Sequence, residues 1–108
     1  MKRKLYKHVV CADGFKMSVQ AHKGTYCSPR KDGAKSYTAV EVGFPNAIEP
    51  LLMPHCEDES KPSETVYGYV PAFLVATVIA KHGGIVEGEV PPGVVRLESH
   101  PNTGKEKG

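Results

Sequence analysis

The sequence lacks any apolar run near the roughly 18 residues that a helix needs to span a bilayer, so we predict no membrane partner. A secretory signal peptide is not predicted either, because the early basic residues lead into Asp13, Gly14 and Lys16 instead of an apolar segment. Cysteine is scarce, with three residues at no tight spacing, which favours reduced thiols in a cytoplasm over a disulfide framework. Internal repeats and a phosphate-cradling glycine loop are also absent from the sequence.

The composition is ordinary for a globular protein. Hydrophobic residues make up 40% of the chain and charged residues 24%, which argues against wholesale disorder. A length of 108 residues suits one domain that buries a modest core. We therefore predict a single compact domain over residues 1–98 and a flexible C-terminal tail over residues 99–108, which are polar and end in glycine.

The net charge of +2 conceals an uneven distribution along the chain. Residues 1–35 contain nine Lys or Arg against two Asp, a balance of +7, whereas residues 36–64 contain one Lys against six acidic residues, a balance of −5. Such polarity can steer an anionic partner to one end of the molecule. The opposite charges can equally pair within the fold or between the subunits of a homodimer, so the sequence leaves both interpretations open.

One helix is predicted, over residues 71–82. Pro71 has a backbone already close to helical geometry and suits the first turn. Lys81 and His82 favour the carbonyl end of the helix dipole, and Gly83–Gly84 can adopt the left-handed turn that ends a helix. Apolar residues three and four apart predict the buried stripe: Val70, Phe73, Leu74, Val78 and Ile79.

Several stretches alternate between apolar and polar residues, which is typical of strands with one buried face. The predicted strands are residues 5–11, 15–22, 37–44 and 64–70, with further short strands at 85–86 and 94–97. Asp13–Gly14 is a turn pair between the first two. A helix of about twelve residues is marginal alone and needs an apolar sheet to pack against. The predicted fold class is therefore α+β, a small antiparallel sheet of four or five strands packed by one α-helix at about residues 71–82.

Five short segments occur in an order that resembles a known group of proteins. They are MSVQA (17–21), YCSPR (26–30), VEVGFP (40–45), ETVYGYVP (64–71) and HGG (82–84). Over roughly residues 13–86, the chain resembles small accessory proteins encoded by tailed bacteriophages. No activity, cofactor or catalytic residue comes with this resemblance. It implies a viral protein made in a bacterial cytoplasm, which acts on the host by binding, for example by blocking a defence protein or sequestering a nucleotide signal.

The loop from Tyr26 to Arg30 concentrates residue types that are suited to binding. Arginine presents a planar fork of donors that matches phosphate or carboxylate, and tyrosine offers a ring for stacking. The predicted ligand-binding residues are Tyr26, Ser28, Arg30, Lys31, Tyr37, Tyr67 and Tyr69. On this hypothesis the last three tyrosines approach the loop across the sheet, and a base stacks there. The alternative is a surface turn in which Tyr26 covers the core and Arg30 pairs with Glu41 or with the acidic loop.

The thiols and imidazoles suggest two further kinds of site. The zinc-competent residues are His22, Cys27, His55 and Cys56, with Cys11 in reserve. The nearest pair is adjacent in sequence, and adjacent side chains rarely point at one ion. Cys27 and Cys56 are candidate nucleophiles, but neither has an identifiable base and orienting group. We predict no metal, no cofactor and no catalytic residue.

The function predicted from these observations is non-catalytic. We expect a phage accessory protein, in the cytoplasm of the bacterial host, that binds and neutralises a host protein or a nucleotide-type small molecule. The alternative is a nucleic-acid-binding protein that uses the basic N-terminal hairpin, and a small enzyme comes third. A homodimer is compatible with each, because the edges of a small sheet must be covered or paired. A nucleotide binder would place Arg30 and the tyrosines around one pocket, whereas a protein inhibitor would present an exposed patch.

Overall fold

Asp13 and Gly14 turn the chain between the first two strands, as the sequence predicts. Gly14 has a φ of 95°, and the Phe15 N–H donates a hydrogen bond to Asp13 Oδ1 at 2.9 Å. The tight turn lets the flanking strands pair antiparallel, with Val9 opposite Met17. The computed structural model describes residues 4–99 of the chain.

Five antiparallel strands and one α-helix make up the described part of the chain, which confirms the predicted α+β class. The strands are β1 (Val9–Cys11), β2 (Lys16–Gln20), β3 (Ala39–Gly43), β4 (Val66–Pro71) and β5 (Ile85–Glu87). The helix α1 spans Ala72–Lys81, and a short 3-10 helix spans Met53–His55. The strands lie in the order β4, β3, β2, β1, β5, so β2 is central in the sheet.

The core forms between the sheet and α1. Four residues that the alternation around β2 places on one face are all buried: Phe15, Met17, Val19 and Ala21. This burial confirms the predicted inner face of that strand. Leu52, from the long connection between β3 and β4, is also fully buried against this core.

The helix begins and ends close to the predicted limits, but its buried face differs from the predicted stripe. Val75, Val78 and Ile79 are fully buried, and Ala72 is nearly so. Phe73, predicted in the core, is 74% exposed, so that part of the prediction is wrong. Neighbouring positions of a helix point about 100° apart, so a rotation of the helix by about one position exchanges Phe73 for Ala72 and Val75 at the sheet.

A bulge between β3 and β4 separates two tyrosines that the sequence places on one face. The pairing register shifts between Val40 and Val42 of β3. On the facing strand, Tyr69 has a left-handed φ of 50° and stays 48% exposed, whereas Tyr67 is fully buried. The predicted shared face of Tyr67 and Tyr69 is therefore wrong, because a bulge breaks the two-residue alternation of a strand.

Short segments of the same chain cover both outer strands of the sheet. Beside β4, the Glu57 N–H donates to the Val66 carbonyl at 3.0 Å. Beside β5, the Ile85 N–H donates to the Leu97 carbonyl at 2.7 Å. Residues 94–97 are not the short strand predicted there, since they lie outside the strands of the sheet. Because both edges have internal cover, the sheet does not need a second subunit to protect them.

The predicted tail lies outside the described residues, except for Ser99. The Ser99 N–H donates to the Ile85 carbonyl at 2.9 Å, which ties the end of the described chain to β5. Within residues 4–99, no helix has the length and apolar character needed to cross a membrane.

Candidate functional site

Three of the predicted ligand-binding residues, Tyr26, Arg30 and Tyr69, come together at the protein surface. The rings of Tyr26 and Tyr69 stack with centroids 5.8 Å apart and planes inclined by 28°. The Arg30 guanidinium lies over the Tyr26 ring, with Cζ 5.3 Å from the ring centroid. Tyr26 is 40% exposed and Tyr69 is 48% exposed, so both side chains face solvent over much of their area. We refer to these three residues as the tyrosine–arginine surface.

The backbone around Tyr26 fixes the position of its ring. The Tyr69 N–H donates to the Tyr26 carbonyl at 3.0 Å, and the Tyr26 N–H donates to Glu41 Oε2 at 3.3 Å. Gly68 leaves the space that this ring occupies, since a Cβ there would lie 3.2 Å from Tyr26 Cβ and 3.0 Å from Glu57 Oε2. Any larger residue at position 68 would displace one of these two side chains.

Tyr69 adopts a backbone conformation that is unfavourable for a residue with a side chain. Its φ of 50° lies in the left-handed region, which costs an L-residue roughly 1–2 kcal/mol. Phe44, which follows β3, has a similar φ of 51°. Such conformations persist only where the surrounding structure holds them, and they are common at binding sites. At Tyr69 the exposed ring packs against Tyr26 instead of entering the core.

Arg30 retains most of its hydrogen-bond donors for a partner. Its Nε donates to the Lys23 carbonyl at 3.2 Å, and among residues 4–99 its two terminal nitrogens have no hydrogen-bond or ion-pair partner. The alternative pairing of Arg30 with Glu41 is not made, and Glu41 Oε2 instead accepts the Tyr26 N–H. The free edge of the guanidinium can therefore form a bidentate pair with a carboxylate or phosphate.

Ser28 and Lys31 make backbone hydrogen bonds that hold the Tyr26–Arg30 loop and the residues after it in place. The Ser28 N–H donates to the Ala39 carbonyl at 3.0 Å, next to a cis peptide bond between Ser28 and Pro29. The carbonyl of Lys31 accepts the Tyr37 hydroxyl at 2.6 Å, while Lys31 itself is exposed. The structure thus places both residues beside the tyrosine–arginine surface along the chain, and it anchors them through their backbones.

Tyr37 and Tyr67 do not belong to the tyrosine–arginine surface. Tyr37 is 1% exposed and its hydroxyl bonds to Lys31, while Tyr67 is 0% exposed and its hydroxyl donates to the Pro62 carbonyl at 2.7 Å. Burial raises the pKa of Tyr67 to about 12, and the neighbouring Cys56 thiol adds to this rise. The expectation that these two rings stack on a ligand is corrected, because both are enclosed in the core with their hydroxyls already bonded.

The basic residues of the N-terminal hairpin are partly paired. Lys4 Nζ lies 3.7 Å from Glu89 Oε2 and 5.2 Å from the centroid of the Tyr6 ring. Lys7 and Lys16 are exposed, and residues 2 and 3 lie outside the described range. The nucleic-acid alternative therefore stays a prediction that rests on charge alone.

The three thiols lie in separate environments. Cys11 and Cys27 are buried, and Cys56 is partly buried. Burial, with a contribution from the Asp13 carboxylate, raises the pKa of Cys11 to about 11, so this thiol stays protonated at neutral pH. Cys27 Sγ lies 3.3 Å from the His22 carbonyl. In the described part of the chain, no three His, Cys, Asp or Glu side chains are grouped closely enough to hold a metal ion.

A second cluster, which sequence analysis did not single out, joins three distant parts of the chain. Glu49 is 1% exposed, and its carboxylate accepts Lys81 Nζ at 2.8 Å and contacts His82 Nε2 at 2.6 Å. His82 Nδ1 lies 2.6 Å from Asp13 Oδ2. The Leu51 N–H donates to Glu49 Oε2 at 2.9 Å. We refer to Asp13, Glu49, Lys81 and His82 as the charge network.

The contacts of His82 favour its doubly protonated form, since each ring nitrogen faces a carboxylate. Burial alone would lower the pKa of His82, but the hydrogen bonds and charges of Asp13 and Glu49 outweigh it and raise the pKa above 6.5. Burial likewise raises the pKa of Glu49, but hydrogen bonds from Lys81, the Leu51 N–H and His82 outweigh it, and the pKa lies below 4.5. Both shifts favour the charged forms of His82 and Glu49, which face each other in the network.

Two features of the sequence hint at this network. Lys81 and His82 carry positive charge at the carbonyl end of the predicted helix. Glu49 is the one charged residue between positions 45 and 53, and a carboxylate among apolar residues is buried only with a partner. Neither feature pairs Glu49 with His82, because the two lie 33 positions apart.

Comparisons of the chain with protein-family models, with curated proteins and with solved structures find no match. The resemblance to phage accessory proteins stays a prediction from the sequence.

Proposed function

We propose that this chain is a non-catalytic accessory protein of a bacteriophage, which binds and neutralises a protein of the bacterial host through the tyrosine–arginine surface. The observation that carries the proposal is the exposed stack of Arg30, Tyr26 and Tyr69. Tyrosine and arginine are enriched among the residues that contribute most to protein–protein affinity, since they combine apolar area with polar groups. The phage origin and the host cytoplasm as the place of action come from the sequence resemblance.

The contacts within the tyrosine–arginine surface support a binding role. Tyr69 is held by its backbone hydrogen bond to Tyr26, and Tyr26 packs over Gly68. Side chains that are ordered before binding lose little conformational freedom when a partner docks. Because Arg30, Tyr26 and Tyr69 already contact one another, a partner that docks on them has less conformational freedom to remove.

The charges around the stack indicate the chemistry of the partner. Lys23, Lys31 and Lys35 are exposed in the same loop as Arg30 and add positive charge to it, whereas the carboxylates of Glu41 and Glu57 lie at the backbone side of Tyr26. A stable interface buries about 800 Å² on each partner, which is more than three side chains supply, so the partner must also contact residues around the stack. The host protein is expected to present carboxylates beside an apolar side chain, because such a surface complements both the rings and the guanidinium.

A protein partner fits the surface better than an enclosed small molecule. Three cavities, of about 520, 230 and 680 Å³, lie elsewhere, and their lining residues do not include the stack. Small-molecule sites are concave and enclose most of their ligand. The nucleotide-type small molecule is therefore the second candidate for the same surface.

Native mass spectrometry of the protein purified from a bacterial cytoplasm at low salt tests this proposal. We expect an added mass of protein size, which Arg30→Ala and Tyr26→Ala lose while their melting temperatures stay close to that of the wild type. Phe44→Gly is the matched control, because Phe44 is also an exposed aromatic residue with a left-handed backbone. This variant should retain the partner.

Other outcomes of this experiment favour different functions. A retained mass of nucleotide size that Arg30→Ala loses supports the small-molecule candidate. Retention of the same protein by the wild type and by both variants would contradict the assignment of the surface. A separate titration with duplex DNA tests the nucleic-acid alternative. Binding that weakens steeply with salt and does not depend on Arg30 would favour that alternative.

A further inference from the structure

Residues 46–51 of the connection between β3 and β4, which lie between the buried residues Pro45 and Leu52, are bound to the rest of the protein mainly by polar groups. Asn46 Oδ1 accepts the Lys16 N–H at 2.9 Å, and Asn46 Nδ2 donates to the Gly14 carbonyl at 3.0 Å. Glu49 supplies the charged contacts to the end of α1. Ile48 is 64% exposed and Leu51 is 37% exposed, so the apolar residues between these contacts anchor the segment weakly.

His82 lies at the centre of these contacts, and it has a route to solvent. Its side chain is 17% exposed, and the Phe15 ring covers one face with the centroids 4.2 Å apart. A surface cavity of about 230 Å³ opens beside the imidazole, lined by Asp13, Gly14, Phe15, Asn46, Ala47 and His82. Protons can therefore exchange between His82 and water without unfolding of the core.

Loss of one proton from His82 leaves the charge network mismatched. The imidazolium donates one hydrogen bond to Asp13 and one to Glu49, whereas a neutral imidazole has one N–H and one lone pair. One of the two carboxylates then faces a lone pair. The Asp13 side chain is 51% exposed and can turn to water, but Glu49 is buried and loses the charge of the imidazolium, so Lys81 becomes its only charged partner in the described part of the chain, beside the Leu51 N–H.

We propose that the charge network is a pH-sensitive latch, which holds residues 46–51 against the end of α1 while His82 is protonated and releases them when it is not. The charged groups that act on His82 are Asp13 from the β1–β2 turn, Glu49 from the connection, and Lys81 from α1 through Glu49. The Cys11 thiol interacts with Asp13 but stays neutral over this range, since its pKa is about 11. Phe15 and Asn46, which also line the site, carry no charge.

Hydrogen exchange and NMR titration of the full chain test the latch. The reporter amides are Asn46, Leu51 and Leu52, which donate to Lys16 O, Glu49 Oε2 and Glu49 O respectively. Between pH 6.5 and the raised pKa of His82, their opening constant should rise by up to about tenfold per pH unit, because one proton is lost. Above that pKa it should level off. Amides of the central strand β2, measured in the same sample, should show no such rise.

His82→Gln removes the titrating group. In this variant, the opening constant of residues 46–51 should not depend on pH over the same range. His8→Gln is the matched control, because His8 is exposed and makes none of the hydrogen bonds of the network, and this variant should behave as the wild type. If His82→Gln does not fold, Asp13→Asn tests the same step, since it should lower the pKa of His82 and move the opening to lower pH. An unshifted titration of His82 near 6.5, or an opening constant that does not change with pH in the wild type, would overturn the proposal.

Discussion

The Phe15 ring lies nearly parallel to the His82 imidazole, with centroids 4.2 Å apart and planes inclined by 12°. Phe15 is 4% exposed and precedes β2, so it belongs both to the core and to the cover of the charge network. The Phe15 ring therefore contributes both to the packing of the core and to the burial of the His82 imidazole. A change in Phe15 is expected to affect both.

The contrast between Phe15 and Phe73 tests which phenylalanine supports the fold. Phe15→Ala should lower the free energy of unfolding by about 3–5 kcal/mol, because it leaves a cavity in the core. Phe73→Ala should change it by less than about 0.5 kcal/mol, since Phe73 is 74% exposed. Urea unfolding followed by circular dichroism measures both values. A large loss in Phe73→Ala would contradict the observed face of α1.

The stability of the protein should be greatest between pH 4.5 and pH 6.5. The folded pKa of His82 is raised, so its contribution is complete below 6.5 and is lost as the pH rises through that raised value. The folded pKa of Glu49 is lowered, so its contribution is complete above 4.5 and is lost as the pH falls through the lowered value. Urea unfolding from about pH 3 to about pH 9 measures this profile. His82→Gln should flatten the alkaline side, and a wild-type stability that increases steadily above pH 6.5 would contradict the assignment.

Two substitutions at Tyr69 should separate backbone strain from the loss of the ring. Tyr69→Gly and Tyr69→Ala both remove the stacking on Tyr26, but only glycine adopts a φ of 50° without strain. Tyr69→Gly should therefore be more stable than Tyr69→Ala by about 1 kcal/mol. Thermal unfolding of the pair measures the difference. If alanine were equal or better, the left-handed conformation of Tyr69 would not be strained.

A matched pair of glycines should reveal a close approach of two backbones. Gly93 and Gly33 both have positive φ, of 105° and 64°, so alanine is strained at either position. A Cβ at Gly93 would lie 2.1 Å from the Tyr37 carbonyl oxygen, whereas none of the surrounding atoms comes within 4 Å of a Cβ at Gly33. Gly33→Ala should cost about 1 kcal/mol, and Gly93→Ala about 1–3 kcal/mol more. Equal losses in chemical denaturation would show that the approach to Tyr37 is not tight.

Strands and the first turn of the sheet can be predicted from local sequence, because turn preference and apolar–polar alternation depend on residues that are close in sequence. Asp13–Gly14 identifies the first turn, and the apolar positions from Phe15 to Ala21 identify a buried face. The face of α1 was harder to predict. Apolar residues occupy most positions from Ala72 to Ile79, so a stripe through Phe73 and one through Val75 match the helical period almost equally well.

Local sequence likewise predicts some features of the candidate site, and only the tertiary structure determines the others. Residue types and their order already mark the Tyr26–Arg30 loop as a binding segment and Glu49 as a lone carboxylate among apolar neighbours. The bulge that exposes Tyr69 while Tyr67 is buried, and the pairing of Glu49 with His82 across 33 positions, depend on strand register and on the path of the chain. Local propensity carries no information about such distant pairings, because their free energy appears only after the sheet and helix have packed.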